Sequence, residues 1–454
     1  MTELPFLAGI ASDRPALLDD AGGEWLSYGG LTAEARGWAA RIPGPRGLVL
    51  LYARNDIASV AALLGALAAG HAVALLDPRL PEETRADLEA LYQPAWIIGR
   101  SAGQLDNPGG EGPLHPDLAL LLSTSGSTGS PKLVRLSLAA LTANALGIAE
   151  VLDIRRDDVA AGYLPLHYSY GLSVLTSHLV RGAGIRLTEA GLMDAGFWPA
   201  LRDAGVTHMP GVPFHYQVML RLGLARLGLS RLRSMTQAGG ALDTALRARV
   251  HAHMAASGGR FFVLYGQTEA SPRMTTLPHD EFPEAPASVG RPLPGCRIEI
   301  LDPDAAGQGE VVFVGPNVML GYAETRADLG RGDALQGRLH TGDVGYLDKA
   351  GRLVLTGRVK RVAKIYGLRV NLDEVEALAN ETGVAAVTQT GDSLTIHVAT
   401  RGDTDQDGEL TRAILARLQQ RFTLPLTSYR FRIVADIPRT DRGKIDYALL
   451  ETPR

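Results

Sequence analysis

Between Leu121 and Ser137 the sequence reads LLSTSGSTGSPKLVRLS, a run of hydroxyls and glycines set between two apolar stretches and joined by a lysine. Glycines let backbone N–H groups come close to oxygen atoms, and serine and threonine hydroxyls add further donors. Thr124, Ser125, Gly126, Ser127, Thr128 and Gly129 therefore have the makings of a phosphate cradle, with Lys132 supplying positive charge. A plain linker has a similar composition, but linkers do not usually sit between two buried strands of one domain. The Walker A pattern fits poorly, since it needs Ser or Thr directly after the lysine and then a helix, whereas Leu133 follows Lys132 here. The run LVRLS predicts a second strand, and Ser137 a helix N-cap behind it, so the expected layout is strand, loop, strand, helix. A dinucleotide fingerprint is weak as well, because GAG at 182–184 lacks the third glycine.

Such a loop needs a frame. GLVLLYA, AVALLD, PAWIIG, LALLLS and RFFVLYG are short apolar runs alternating with helical patterns, the signature of parallel strands covered by helices, so the bulk of the chain is α/β. One of those helices is SVAALLGALAA, stopped by Gly70 and followed by the strand AVALL. After about Ala285 the strands shorten and turn residues multiply, as in RIEILDPD, GEVVFVG and GRLVLTGR, which predicts a small antiparallel subdomain. A boundary is expected after Gly357, giving domains of 1–357 and 358–454, the second with one clear helix, ELTRAILARLQQRF.

The 454 residues exceed what one core usually serves, and 46% hydrophobic with 21% charged residues describes a globular protein. With a net charge of −4 and no basic stripe, the chain has no source for the phosphate neutralisation that nucleic-acid binding rests on. The most apolar window, Val60 to Leu76, falls short of the ~20 residues a membrane span requires. A lone cysteine, Cys296, excludes an internal disulfide framework and fits a reducing compartment. MTELPFLAGIASDRP has no signal-peptide pattern, so the cytoplasm is the expected location. His167, His208 and His215 have no ligand spacing and are read as packing or capping residues.

Five stretches carry a resemblance: STSGSTGSPK, QAGGALD, YGQTEAS, HTGDVGYLDKAGRLVLTGRVKR and PRTDRGKID. Their order and spacing resemble the AMP-forming adenylating enzymes, the superfamily of acyl-CoA synthetases, peptide-synthetase adenylation domains and luciferases. The resemblance implies a large N-terminal domain of helix-covered sheets with the antiparallel subdomain, then a small mobile α+β C-terminal domain. It implies that a carboxylate attacks the α-phosphate of ATP, releases pyrophosphate, and leaves as an acyl-adenylate for transfer to a nucleophile. A carboxylic acid is already ionised near neutral pH, so that step needs no general base, only relief of charge repulsion.

By the same resemblance Lys444 reaches between the carboxylate and the α-phosphate, Thr268 contacts the α-phosphate, and Glu269 carries Mg²⁺, a cation that prefers hard oxygen ligands. Tyr265, followed by Gly266, supplies one wall for adenine, and the Gly239-Gly240 ledge, with Ala241 behind it, supplies the other. Asp343 matches the position that accepts both ribose hydroxyls, and Arg358 its basic companion. Lys360 matches the hinge, and Lys364 and Gly367 the channel of the incoming thiol. LPLHYSYGLS, with Tyr168 and Gly171, resembles one side of the acyl pocket, and Val212, Pro213 and Phe214 resemble another wall. The aspartate that holds an amino-acid ammonium is missing, which implies an aliphatic or aryl acid. Coenzyme A is the first choice of acceptor and the phosphopantetheine of an acyl carrier protein the second. A nucleotide-binding scaffold without catalysis is the alternative from another class.

Overall fold

The computed structural model describes residues 4–451 except 102, 124–131, 366–367, 392, 401, 403, 423 and 440–444. By contacts the chain forms two compact units, Met1–Ile298 with Phe313–Leu339, and Glu299–Val312 with His340–Arg454.

The first unit is built on two sheets. In the seven-stranded one, Leu48–Tyr52 and Ala72–Leu76 run parallel at the centre, and all five residues of each are buried. Strands covered on both faces read as continuous apolar runs, which is how these two appear in the sequence. The helix between them, Ile57–Ala68, is capped by Asp56, whose carboxylate accepts from Ser59 N at 2.7 Å. It ends before Gly70, at φ +86°, a left-handed position that only glycine adopts without strain.

Leu118–Ser123 and Leu133–Ser137 pair antiparallel, with Ser123 opposite Leu133, so the two apolar runs that bracket the Ser/Thr/Gly loop are neighbours. Ser137 then caps the helix Leu138–Val151, its hydroxyl accepting from Ala140 N at 3.0 Å. The two strands and the capped helix stand as read from the sequence, while residues 124–131 between the strands lie outside the described residues. The edge strand Gly321–Ala323 comes from far along the chain and pairs with Leu133–Ser137, Tyr322 opposite Val134. Arg135, 1% exposed, ties it down. Its guanidinium donates to the carbonyls of Leu320 (3.0 Å), Tyr322 (3.2 Å), Gly332 (3.1 Å) and Arg331.

The nine-stranded sheet has the order Arg291–Pro292, Arg273–Leu277, Arg260–Gly266, Ser234–Gln237, His208–Gly211, Val159–Gly162, Gly184–Leu187, Pro15–Leu18, Leu26–Ser27. From Arg260–Gly266 to Pro15–Leu18 the pairs are parallel, while both edges are antiparallel. The turn from Gly266 to Arg273 is too short for a parallel crossover, which takes a dozen residues or more, so the chain doubles straight back. No helix among the described residues is long and apolar enough to cross a membrane.

The second unit holds a four-stranded sheet in the order Arg297–Leu301, Gly309–Val314, Arg338–Leu347, Leu353–Arg358, then the hairpin Val362–Ile365 and Leu368–Asn371, then a three-stranded sheet of Ala385–Thr390, Ser393–Ala399 and Tyr429–Val434. Val375, Val387, Ile396 and Ile414 form its fully buried core. The expected boundary after Gly357 falls inside this unit. The reason is packing: the helix Leu372–Asn380 lies against the strand Leu353–Arg358, so the hairpin before Gly357 groups with the residues after it. Arg361 is locked into the same unit by Asp373 (2.7 Å), Glu376 (2.8 Å) and the Tyr447 ring, 3.9 Å from its guanidinium carbon.

Candidate functional site

Most of the expected residues of the first unit lie just past the C-terminal ends of parallel strands of the nine-stranded sheet, where open α/β sheets bind ligands. Val212, Pro213 and Phe214 follow His208–Gly211, Gly239 to Ala241 follow Ser234–Gln237, and Tyr265 and Gly266 end Arg260–Gly266. Tyr168 precedes the helix Ser169–Leu179. The structure brings several of them into one patch. A Cβ on Gly239, whose φ is +79°, would stand 2.5 Å from the Tyr168 hydroxyl and 2.9 Å from Val212 Cγ1. On Gly240 it would stand 3.2 Å from Pro213 Cγ. The glycine ledge expected under adenine and the wall expected around the acyl group are therefore contiguous. Gln237, fully buried, holds the ledge by donating to Gly240 O at 2.8 Å.

Two acyl-wall expectations change. Gly171 is buried, and a Cβ there would meet the carbonyl oxygens of Pro165 at 2.3 Å and Leu164 at 2.6 Å. Its missing side chain lets the helix pack beneath that backbone. Phe214 is 61% exposed at the first turn of Pro213–Leu222 rather than an enclosed wall. Ala241 is exposed.

The turn after Gly266 carries the candidate catalytic pair. Two buried asparagines clamp it. Asn144 donates to Arg273 O at 2.8 Å and Ala270 O at 3.4 Å, and Asn317 donates to the same two carbonyls at 2.9 and 2.6 Å. Cys296 completes the Asn317 amide, its thiol directed at Oδ1 at 3.3 Å. Burial pushes that thiol up to about 11, which keeps it protonated and inert as a nucleophile. Within the clamped turn, Thr268 shares a 3.0 Å hydrogen bond with Ser169.

Glu269 is half-buried and makes no ion pair among the described residues. Its Oε1 accepts from the Tyr322 hydroxyl at 2.8 Å. Burial first, and the Glu269 carboxylate next, raise the Tyr322 pKa, so the phenol stays a donor. The same ring carries Lys132, whose Nζ stands 3.7 Å from its centroid, an attraction between cation and π face. Lys132 also lies 3.6 Å from Glu324. Tyr322 thus links the lysine of one motif to the acid of another, and sequence reading did not single it out. Nothing local marks it: it reaches the site only through pairing of the edge strand.

In the second unit Asp343 and Arg358 face each other across the hairpin and pair at 3.1 Å. Thr124, Ser125, Gly126, Ser127, Thr128, Gly129, Gly367 and Lys444 lie outside the described residues. Lys360 and Lys364 are described by backbone alone, in the turn Val359–Arg361 and the strand Val362–Ile365. Arg439 and Ile445, on either side of 440–444, form an antiparallel bridge.

The three histidines take packing and capping positions. His208 bonds Ser234 at 2.6 Å, His215 Nδ1 accepts from Val212 N at 3.4 Å, and His167 lies 3.4 Å from Asp77. His208 and His178, with rings 4.9 Å apart, are fully enclosed, and desolvation lowers both pKa values, His178 to about 4.

Comparison with known proteins gives the following. A family model described as AMP-binding enzyme matches residues 89–323. An oxalate–CoA ligase of Arabidopsis thaliana is 31% identical, the match covering 73% of this chain and 66% of that protein. A sulfoacetate–CoA ligase of Cupriavidus necator is 28% identical, with 95% of this chain and 93% of that protein covered. The o-succinylbenzoate CoA synthetase (MenE) of Bacillus subtilis, solved with the acyl-adenylate intermediate OSB-AMP, superposes with a TM-score of 0.80 at 21% identity, covering 100% of this chain and 99% of that one. That last likeness establishes the fold, a large N-terminal and a small C-terminal part built as in those enzymes.

Proposed function

The chain belongs to the AMP-binding enzyme family, and from that premise we propose that it uses ATP to turn a carboxylic acid into an acyl-adenylate, with release of pyrophosphate, and then passes the acyl group to the thiol of coenzyme A. The observation that carries this reading is the clamped turn at the end of Arg260–Gly266, where Thr268 is held by Ser169 and Glu269 is linked to Lys132 through Tyr322. A binding scaffold needs affinity for a nucleotide; it does not need an acid and a hydroxyl fixed where charge develops in a transition state.

The acid arrives ionised. The chain's task is to bring that anion to a triphosphate without repulsion, so donors and cations must already be in place. Thr268 offers its hydroxyl to the α-phosphate, Lys132 its charge to the phosphates, and Lys444 its ammonium between the phosphate and the attacking carboxylate. Tyr168, Val212 and Pro213 enclose the acid, while Tyr265 and the Gly239-Gly240 ledge flank the purine and Asp343, held by Arg358, takes the ribose. Residues 358–454 swing about Lys360 between the two half-reactions, and Lys364 and Gly367 line the path of the thiol.

A half-buried carboxylate with one oxygen hydrogen-bonded and no cation paired to it suits a magnesium ion, which commonly takes one or two protein carboxylates and completes its shell with phosphate and water oxygens. Glu269 is the residue that would hold it, and the bound ion would supply charge neutralisation at the phosphates. Tyr322 then acts as a positioning residue. Tyr322→Phe keeps the ring under Lys132 and removes one hydrogen bond to a carboxylate, worth about 1.5–3 kcal/mol in general. The expected result is a rise of roughly 10-fold in the magnesium concentration that half-saturates pyrophosphate release, with a melting temperature lowered by about 10 °C at most. An unaltered magnesium titration contradicts the role.

The reading as a whole is tested by acid-dependent pyrophosphate release over a panel of carboxylic acids, followed by mass analysis with coenzyme A and, separately, with a phosphopantetheinylated carrier protein. Release with an acid and a coenzyme A thioester are expected. A product on the carrier alone moves the acceptor to a carrier protein, and ATP binding without release for any acid leaves a nucleotide-binding scaffold. The lone cysteine, half-buried and unable to form an internal disulfide, supports a cytoplasmic setting.

A further inference from the structure

Arg273 opens the strand Arg273–Leu277 with a side chain only 3% exposed. Its guanidinium carbon lies 5.0 Å from the centre of the Tyr170 ring. Tyr170 meets Tyr168 edge to face at 6.3 Å, and the Tyr168 hydroxyl abuts Gly239. A chain of two aromatic rings, Tyr170 and Tyr168, therefore joins the cation to the patch proposed to enclose the acid.

Among the described residues no carboxylate answers it, and its partner is a neutral one, the Tyr170 hydroxyl, with which it hydrogen-bonds. Arg273 forms no ion pair among the described residues, and its Nε has no hydrogen-bond partner. Its neighbours are neutral: the Tyr170 hydroxyl, fixed by Thr236 at 2.9 Å, and His208, whose pKa burial lowers and to which Arg273 adds. Burial likewise lowers the pKa of Arg273 itself. A buried charge is normally paired, because removing it from water without a partner is costly. The structural duty of this residue does not explain the choice either. Asn144 and Asn317 hold its carbonyl oxygen, a backbone group any residue would offer.

We propose that the guanidinium of Arg273 receives a second anionic group, carboxylate or sulfonate, at the far end of the acid, so that among aliphatic and aryl acids the substrates are the dianionic ones. The inference rests on the adenylation reading and names its substrate class. A guanidinium presents a planar fork that matches a carboxylate or sulfonate by two parallel hydrogen bonds. A monoacid bound in its place leaves that fork buried and unanswered, and a site built for a polar group rejects the analogue that lacks it far more strongly than it rejects a change of one methylene.

The test is ATP–pyrophosphate exchange by the full chain with malonate, succinate, glutarate and sulfoacetate, each dicarboxylate set against its monomethyl ester and the monoacid of equal length. For at least one length the dianion is expected to exceed its uncharged-end partners by about 100-fold or more in kcat/KM. Arg273→Met is expected to remove that preference while keeping exchange with monoacids, and Arg273→Lys to restore part of it. Equal loss with both classes in Arg273→Met, or a wild-type preference for the monoacid at every length, overturns the inference and leaves adenylation intact. The wild-type comparison decides alone where a variant does not fold. Absence of exchange with any acid overturns both readings.

Discussion

Lys444→Ala is expected to slow acid-dependent pyrophosphate release by on the order of 10³-fold while conversion of a supplied acyl-adenylate to thioester survives within a few-fold. The asymmetry follows from where charge gathers in the two half-reactions. In the first, a carboxylate approaches a triphosphate, and both are anions at working pH. An ammonium on a long flexible stem relieves that repulsion at the point of attack, and preorganised donors of this kind are worth about 10²–10³ each in rate. In the second, a thiol attacks a mixed anhydride whose pyrophosphate has left, so the crowding of negative charge is gone. Measuring the two half-reactions separately on a folded variant checks this. Loss of both, or of neither, removes Lys444 from the role.

Gly266→Ala has an effect of comparable size by a different route. A Cβ there would lie 1.9 Å from Pro272 O and 2.9 Å from its carbonyl carbon. These are backbone atoms of the same turn, which Asn144 and Asn317 hold through Ala270 and Arg273. The turn cannot open to admit a methyl group without breaking those bonds and leaving buried amides unsatisfied. Overpacking and lost buried hydrogen bonds together predict about 3 kcal/mol of destabilisation. Thr268 and Glu269 would leave Ser169 and Tyr322, and a displacement of about 1 Å at a reacting centre commonly costs 10²-fold in rate. Denaturant unfolding and pyrophosphate release on the purified variant measure both. Wild-type stability would mean that Pro272 O does not press on this position.

The features legible in advance share one property: their signal is local. Leu118–Ser123 and Leu133–Ser137 are apolar runs on either side of a polar loop, and Ser137 is a cap followed at once by a helical pattern. The helix Ile57–Ala68 announces itself by composition and by the glycine behind it. What escaped depends on residues far apart in the chain. Tyr322 meets Glu269 across 53 residues, and Arg135 meets Tyr322 across 187. Asn144 and Asn317 clamp one turn from opposite sides of it in sequence. Arg135 and Arg273 were hidden for another reason, since a single arginine inside a strand looks like a solvent-facing position until neighbouring strands bury it. Phe214 and Gly171 show the converse. A family-like segment says which stretch borders the ligand and leaves open which side chains of that stretch turn toward it. The boundary was expected after Gly357, behind the antiparallel subdomain, whereas packing of Leu372–Asn380 on Leu353–Arg358 groups the residues otherwise.

Arg358 is fastened to Asp343 and Arg361 to Asp373, Glu376 and Tyr447, with Val359 and Lys360 between these two moorings in the turn Val359–Arg361. In the proposed swing a large reorientation of everything downstream would fall on the four backbone torsions of those two residues, like a door hung on a single pin, and the helix Leu372–Asn380 would have to leave the strand Leu353–Arg358. Stiffening either residue would trap the enzyme on one side of its cycle without touching any group that meets substrate.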